Sequence, residues 1–285
     1  MTQWLTFLLT ALMLTAPALG AELDGTLKKI KRTNTITLGY REASRPFSFI
    51  GDDGKPAGYS VDLCTRVAAS VGTELALPNL QVKWVKVTVE NRIRSVVNGT
   101  IDLECGSTTA SLSRQEQVDF SLMTFIDGGS LLVTDASRIR GISTLGGQRV
   151  AIIPGTTTEK SLADTLKKHG VTATMVPVKD HDAGVVALDN GTADAYASDR
   201  VILIGIGRTS KDPAKLSLVD EFFSYEPYGL MLRRGDAAFR LSVNRALAAL
   251  YRSRDVAPIF EKWFGSMTTA GPMIGAMFLM NGLPE

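Results

Sequence analysis

The chain has few residues of the types that build metal and redox sites. Its 285 residues include two histidines, His169 and His181, and two cysteines, Cys64 and Cys105. Neither cysteine has a histidine or a second cysteine at the spacing that zinc sites use, so we expect no zinc site and no cofactor. A nucleophile elbow and a phosphate-binding loop are also missing from the sequence.

An excess of charge of either sign is absent too. The 31 basic and 29 acidic side chains give a net charge of +2 and are spread along the chain without a long basic run. This balance excludes a general attraction to nucleic acid or to a membrane surface. Since 45% of the residues are hydrophobic, the chain has enough material for two domains with cores of their own.

Long apolar runs are scarce, and the main one lies at the N-terminus. Residues 4–20, WLTFLLTALMLTAPALG, carry no charge and end in a small–x–small pattern before Ala21. Although no Lys or Arg precedes this stretch, we predict a signal peptide over residues 1–20, cleaved near Gly20, and export of the mature chain. A membrane anchor is the alternative, but the stretch is short for a bilayer span. The apolar tail, residues 271–285, is shorter still, and we expect it to pack against the folded part.

The two cysteines leave two states open. In an exported protein an even pair of cysteines is compatible with one disulfide. Cys64 lies on the apolar face of a predicted helix with Val61 and Val67, which fits a buried free thiol equally well. The sequence does not decide between them.

Strand and helix patterns alternate along the chain, which favours an α/β fold. One phrase occurs twice: RIRSVVNGTIDLECGS over residues 92–107 and GVVALDNGTADAYASD over residues 184–199. Each copy predicts a helix end, an Asn-Gly-Thr turn, a strand and then a polar residue, Ser107 or Asp199. Because ligands bind beyond the carboxyl ends of strands in open α/β sheets, the two copies predict two similar lobes around a shared cleft.

The order of the elements predicts which segments form each lobe. The first lobe spans residues 21–126, the second spans residues 127–224, and the chain returns to the first over residues 225–285, including the C-terminal tail. Extended crossings near residues 124–132 and 222–230 would form a hinge on which the cleft closes. Two final helices would then pack on the first lobe.

Arginines and threonines stand at the predicted strand ends and helix starts. Guanidinium groups offer paired donors that fit a carboxylate, and an acidic residue opposite them would complement an ammonium group. Thr156 and Glu159 form a capping-box pattern at the start of a helix, and Ser113 with Glu116 predicts a second cap. Several cationic donors with one carboxylate predict a site for an amino acid. The candidate ligand-binding residues are Arg41, Arg92, Ser107, Thr109, Arg114, Thr157, His181 and Asp199.

A set of segments resembles one family closely. GYREASRPFSF, GYSVDLCTRVA, ENRI, NGTIDLECGSTTASLSRQEQVDFS, PGTTTEKSL, VKDHDAG and EKWF together are similar to the glutamate/aspartate-binding members of the periplasmic amino-acid-binding proteins (solute-binding protein family 3). The resemblance runs from about Leu27 to Gly265. It implies the two-lobed type II periplasmic-binding-protein fold, with a mixed sheet flanked by helices in each lobe, a monomer, and delivery of L-glutamate or L-aspartate to the permease of an ABC importer.

The resemblance also implies roles for the candidate residues. Arg114 with Ser107, Thr109 and Thr157 would bind the ligand α-carboxylate, and Asp199 with Ser107 would bind the α-ammonium group. Arg41, Arg92 and His181 would bind the side-chain carboxylate. From the residues alone, His181 could add positive charge there if its ring were protonated. Relatives can offer a serine hydroxyl three residues before Arg92, where this chain has Val89. This difference leaves the ranking of glutamate, aspartate and the amides open.

Two further hypotheses remain. The same fold hosts a dehydratase and cell-wall-cleaving domains, and an enzyme would need an acid or base such as Glu42, Glu104 or His181. A sensory ectodomain would normally continue into a transmembrane helix, and this chain ends at Glu285. We expect a binding protein that is not an enzyme.

Overall fold

Two five-stranded sheets, each covered by helices, form the framework of the protein. The computed structural model describes residues 22–265, 267 and 271–284. The predicted signal peptide and its cleavage point lie outside these residues. Within the described ranges, no helix is both long and apolar enough to cross a membrane.

The first sheet defines lobe 1 and is mixed. Its strands are β1 (Thr35–Tyr40), β5 (Gln81–Lys86), β6 (Leu103–Glu104), β7 (Val118–Asp127) and β13 (Glu226–Arg233). Their order is β5-β1-β6-β13-β7. β1 runs parallel to β5 and β6, whereas β13 runs antiparallel to β6 and β7. A small three-stranded sheet follows β1 and consists of β2 (Ala43–Ser44), β3 (Ser48–Ile50) and β4 (Pro56–Ala57).

The second sheet defines lobe 2 and repeats the mixed pattern. Its strands are β8 (Gly129–Thr134), β9 (Arg149–Ile152), β10 (Thr174–Pro177), β11 (Ala195–Asp199) and β12 (Leu216–Leu218). Their order is β10-β9-β11-β8-β12. β9 runs parallel to β10 and β11, and β8 runs antiparallel to β11 and β12.

Ten α-helices are present among the described residues, and side chains cap the N-termini of four of them. The helices are α1 (Gly25–Thr33), α2 (Tyr59–Glu74), α3 (Arg92–Val97), α4 (Leu112–Gln115), α5 (Thr157–His169), α6 (His181–Asp189), α7 (Arg200–Gly207), α8 (Ala237–Arg252), α9 (Val256–Phe264) and α10 (Pro272–Asn281). The cap predicted at Thr156 is confirmed, since its side chain accepts a hydrogen bond from the Glu159 amide. The cap predicted at Ser113 is wrong, because Ser111 caps α4 instead.

The chain passes between the sheets in two adjacent extended segments. β7 ends at Asp127 in lobe 1, and β8 begins two residues later in lobe 2. The return strand β13 starts at Glu226, which pairs with Asp127. The two crossings therefore lie side by side, as a hinge requires.

An aromatic cluster fills lobe 1 beneath these crossings. The ring of Phe125 on β7 stacks on Phe264 of α9 at 4.9 Å and meets Phe47 edge-on at the same distance. The helices after β13 therefore pack on lobe 1 as predicted. The apolar tail forms a third such helix, α10, whose Phe278 packs against Tyr251 of α8 at 5.1 Å, so the predicted packing of the tail is confirmed.

A disulfide fixes α2 to the strand end that follows β6. Cys64 and Cys105 are both fully buried and bonded to each other across 41 residues. The alternative of a free thiol is therefore wrong. Because Cys105 lies two residues before Ser107, the bond anchors the strand end that leads into the predicted site.

Candidate functional site

The two copies of the repeated phrase place polar residues at matching points of the two lobes. α3 ends at Val97 and α6 ends at Asp189. The C-capping residues Asn98 and Asn190 are each followed by a glycine in the left-handed region, with φ of 69° at Gly99 and 66° at Gly191. A glycine is needed there because a side chain would be strained at positive φ. The chain then enters β6 or β11, and Asp199 ends β11.

One cavity between the lobes brings the predicted residues together. All eight candidates line it: Arg41, Arg92, Ser107, Thr109, Arg114, Thr157, His181 and Asp199. Val89 also lines it, as the sequence comparison with relatives implies. Sequence reasoning did not single out the apolar lining residues Ile153, Ala197 and Ile202, which come from the end of β9 and from the β11–α7 segment.

Three buried guanidinium groups come from lobe 1. Arg41, Arg92 and Arg114 are each exposed by 8% or less. Burial, and the neighbouring Arg92, lower the pKa of Arg41 and of Arg114 to about 10. Burial also lowers the pKa of Arg92. Arg41 and Arg114 therefore stay protonated at neutral pH, and the cavity presents concentrated positive charge that is poorly screened by water.

Protein contacts hold two of these arginines in place and leave some of their N–H groups without a protein partner. Arg114 donates from Nη1 to the carbonyl oxygen of Thr109 at 2.9 Å. Arg92 donates from Nη1 to the Thr108 hydroxyl at 2.8 Å, and that hydroxyl donates to Glu104 at 2.8 Å. A guanidinium has five N–H donors, so both side chains keep N–H groups for a bound anion.

Glu104 supports the arginines from behind the cavity. It is fully buried at the end of β6, and its charge favours the protonated forms of Arg41 and Arg92. Among the described residues, no protein group bonds to its Oε1 atom or to the Nε of Arg92. Glu104 therefore serves as a counter-charge in this arrangement, hydrogen-bonded through Thr108.

His181 lies at the first position of α6 and is uncharged. Its Nδ1 is 2.6 Å from the hydroxyl of Tyr196. Burial, and then the charges of Arg41 and Arg92, lower the pKa of His181 to about 3. In the empty cavity the His181 ring is therefore neutral, and the positive charge comes from the buried arginines.

Asp199 is the acidic group on the lobe 2 side. Its Oδ1 accepts a hydrogen bond from the Thr158 hydroxyl at 2.8 Å, and the Tyr228 hydroxyl donates to its Oδ2. Burial, and then the charge of Glu226, raise the pKa of Asp199 to about 6. A cationic group placed beside Asp199 would stabilise the ionised carboxylate.

Sequence reasoning missed Glu226, the first residue of β13. This carboxylate is fully buried and accepts hydrogen bonds from the hydroxyls of Thr109 at 2.5 Å and Thr157 at 2.6 Å. The two threonines come from lobe 1 and lobe 2, so Glu226 joins the lobes through them. The signal in the sequence was an acidic residue at the start of an otherwise uncharged extended crossing, YEPYGLML.

The cavity thus combines a cationic side and an acidic side within one enclosed space. Three arginines face it from lobe 1, and Asp199 faces it from lobe 2. Such an arrangement complements a small zwitterion that carries extra negative charge.

Comparisons with known proteins agree with this chemistry. The model for the bacterial extracellular solute-binding proteins, family 3, matches residues 36–266. The L-glutamate/L-aspartate-binding protein of Pseudomonas aeruginosa is 43% identical over 259 residues, which cover 90% of this chain and 85% of the relative. The glutamate/aspartate import solute-binding protein of Escherichia coli K12 is 35% identical over 249 residues, covering 87% and 81% of the two chains.

Solved structures share the architecture. An ancestral arginine-binding protein bound to arginine aligns with a TM-score of 0.73 at 26% identity, covering 81% of this chain and 99% of that one. The fold is therefore the two-lobed type II periplasmic-binding-protein fold that the resemblance implied.

Proposed function

The chain belongs to the bacterial extracellular solute-binding proteins of family 3, and on that basis we propose that it captures an acidic amino acid, glutamate or aspartate, by closure of its cleft. The observation that carries this proposal is the clustering of Arg41, Arg92 and Arg114 with Asp199 around one buried cavity. A ligand with two carboxylates and one ammonium group would match those charges in sign and arrangement.

The ligand contacts follow the chemistry of each part of the cavity. Arg114 and Ser107 bind the α-carboxylate, together with the backbone N–H groups of Thr109 and Thr157. Asp199, helped by Ser107, binds the α-ammonium group. The α-carboxylate thus meets donors of both lobes, which gives the ligand more contacts in the closed cleft than in an open one.

Arg41 and Arg92 bind the side-chain carboxylate, and His181 completes this end of the cavity as a neutral imidazole. A neutral ring keeps one donor or acceptor for the ligand, according to its tautomer. Because the two arginines lie within one buried patch, a carboxylate there neutralises charge that the protein holds away from bulk water.

Binding shifts the population of the closed form. Ligand enters on lobe 1, which carries the three arginines, and lobe 2 then adds Thr157, His181 and Asp199. Since only the closed form makes both sets of contacts, the ligand favours it by its differential affinity. The closed form is the one that an ABC importer permease recognises.

The proposal includes the organisation of the mature protein. It is a periplasmic monomer after cleavage of residues 1–20 near Gly20. Lobe 1 comprises residues 21–126 and 225–285, and lobe 2 comprises residues 127–224. Membership of the strands in the two sheets supports these boundaries.

An amide amino acid such as glutamine is the second candidate ligand. Val89 lines the cavity where a relative can offer a hydroxyl, and His181 is neutral, so the side-chain end has fewer charges than the sequence implied. A catalytic role is not proposed. Glu42 forms an ion pair with Lys86 at the surface, and Glu104, behind Arg92, accepts a hydrogen bond from the Thr108 hydroxyl.

Isothermal titration calorimetry tests the proposal. The mature protein is stripped of bound ligand and titrated with L-glutamate, L-aspartate, L-glutamine and L-asparagine. We expect micromolar or tighter binding of the acids and much weaker binding of the amides. Preference for an amide would overturn the side-chain assignment, and turnover of a bound ligand, seen by mass spectrometry, would establish an enzyme instead.

A further inference from the structure

Glu226 lies behind the wall of the cavity. It is fully buried, and it is not among the described residues that line the cavity itself. Its Oε2 atom accepts the hydroxyls of Thr109 at 2.5 Å and Thr157 at 2.6 Å, and its Oε1 atom accepts the hydroxyl of Ser224 at 2.6 Å. The two threonines, by contrast, do line the cavity.

These contacts decide where the threonine protons are. A hydroxyl has one proton to donate and two lone pairs to accept with. Thr157 Oγ1 lies 3.2 Å from Thr109 Oγ1 but 2.6 Å from Glu226, so its proton points to the carboxylate. Neither hydroxyl then has a proton left for a ligand carboxylate, and both turn lone pairs toward the cavity.

The backbone offers the donors that these side chains do not. Thr157 is the first residue of α5, where the amide N–H has no partner inside the helix. In the part of the chain that the structure describes, the N–H groups of Thr109 and Thr157 have no protein acceptor. A ligand α-carboxylate is therefore received by Arg114, Ser107 and these amides, and the threonine oxygens serve a different group.

We propose that Glu226 is a positioning residue of the ammonium subsite, which holds the Thr109 and Thr157 hydroxyls so that both oxygens accept from the ligand's α-ammonium group. Together with Asp199, this arrangement makes a free α-amino group a requirement for tight binding. The inference rests on the proposed function as an amino-acid binder, and it adds a specificity determinant to that site.

Substitution of Glu226 by leucine tests the proposal. Leucine has no acceptor, so the threonine hydroxyls lose the partner that holds their protons and can turn those protons into the cavity. The probes are L-glutamate and glutarate, which has the same two carboxylates and no amino group, measured by direct and competition calorimetry. We expect Glu226→Leu to weaken L-glutamate about ten- to hundredfold, as for a lost hydrogen bond to a charged group, and to strengthen glutarate.

The control is Glu221→Leu, which makes the same change in the segment that leads into the same crossing. Glu221 accepts a hydrogen bond from the Ile142 amide in lobe 2 and lies outside the cavity. Both affinities should stay at the wild-type values in this variant, and thermal unfolding checks that each protein is folded.

Every other outcome in Glu226→Leu overturns the inference. An equal loss for both ligands would mean that Glu226 only holds the lobes together. An unchanged affinity for L-glutamate, or a loss without a gain for glutarate, would show that Glu226 does not position the ammonium subsite. Failure of the wild-type protein to bind any of the amino acids would instead refute the proposed function.

Discussion

Arg114 is the residue whose removal should affect ligand binding most. Its guanidinium is buried, with 8% of its surface exposed, and is held by the carbonyl of Thr109 at 2.9 Å. In the proposed complex it meets the α-carboxylate, a group that every amino acid ligand carries. Arg114→Ala removes the positive charge and leaves that carboxylate buried without its partner.

The expected loss follows from the burial of this pair. Truncating one partner of a buried, hydrogen-bonded charge pair costs about 2–5 kcal/mol, which is roughly a thirty- to several-thousandfold loss of affinity. Calorimetry of the ligand-stripped variant against L-glutamate measures it directly. Because a micromolar site has about 8 kcal/mol of binding free energy, the variant should bind with a Kd of about 30 μM at best and in the millimolar range at worst.

Arg66→Ala provides the matched control. Arg66 is an exposed arginine on α2, so its loss removes the same charge without touching the cavity. We expect its affinity to equal that of the wild-type protein. Near-native affinity in Arg114→Ala, with the fold intact, would refute the placement of the α-carboxylate and the argument from buried arginines.

Three more predictions concern pH, the disulfide and selectivity. The pKa of Asp199 is about 6 in the empty cavity, so below that pH an ammonium ligand must displace a proton from the carboxyl group. The affinity should therefore be constant above pH 7 and fall between pH 6 and pH 5. Calorimetry at pH 6 in buffers of different ionisation enthalpy should detect the released proton. Replacing both Cys64 and Cys105 by alanine opens a loop of 41 residues and should lower the free energy of unfolding by about 2–4 kcal/mol in urea titrations. The effect of this change on affinity should be smaller than that of Arg114→Ala. Unchanged stability would contradict the prediction. Val89→Ser adds a hydroxyl to the cavity wall near Arg92 and should raise the preference for L-glutamate over L-glutamine by about fivefold, whereas an equal gain for both ligands would show that the hydroxyl does not contact the charged side chain.

Strand ends were predictable from the sequence because hydrophobic periodicity and turn residues act locally. The repeated Asn-Gly-Thr turns each need a glycine at positive φ, and the strand that follows each turn delivers Ser107 or Asp199 to the cavity. The N-cap at Thr156 was predictable for the same reason, since its hydrogen bond joins residues three apart. Local rules thus reached the positions of the site residues, and the family resemblance supplied their grouping.

Properties that depend on neighbours distant in sequence were not predictable in this way. The neutral state of His181 results from burial and from Arg41, 140 residues earlier in the chain. Glu226 is 117 residues from Thr109, and no local pattern joins them. The state of the cysteines also required the distance between α2 and the end of β6, which the sequence leaves open.

In the proposed complex, the distribution of charge between the lobes favours an amino acid over a simple dicarboxylate as the ligand. The arginines belong to lobe 1, and Asp199 belongs to lobe 2, although Tyr228 on β13 of lobe 1 donates to it. A dicarboxylate would satisfy lobe 1 and bring a negative charge toward Asp199, which opposes closure. An amino acid carries the ammonium group that Asp199 needs, on the same carbon as the carboxylate that Arg114 needs. The ligand therefore attracts each lobe with a different charge, and the free energy that closes the cleft depends on both.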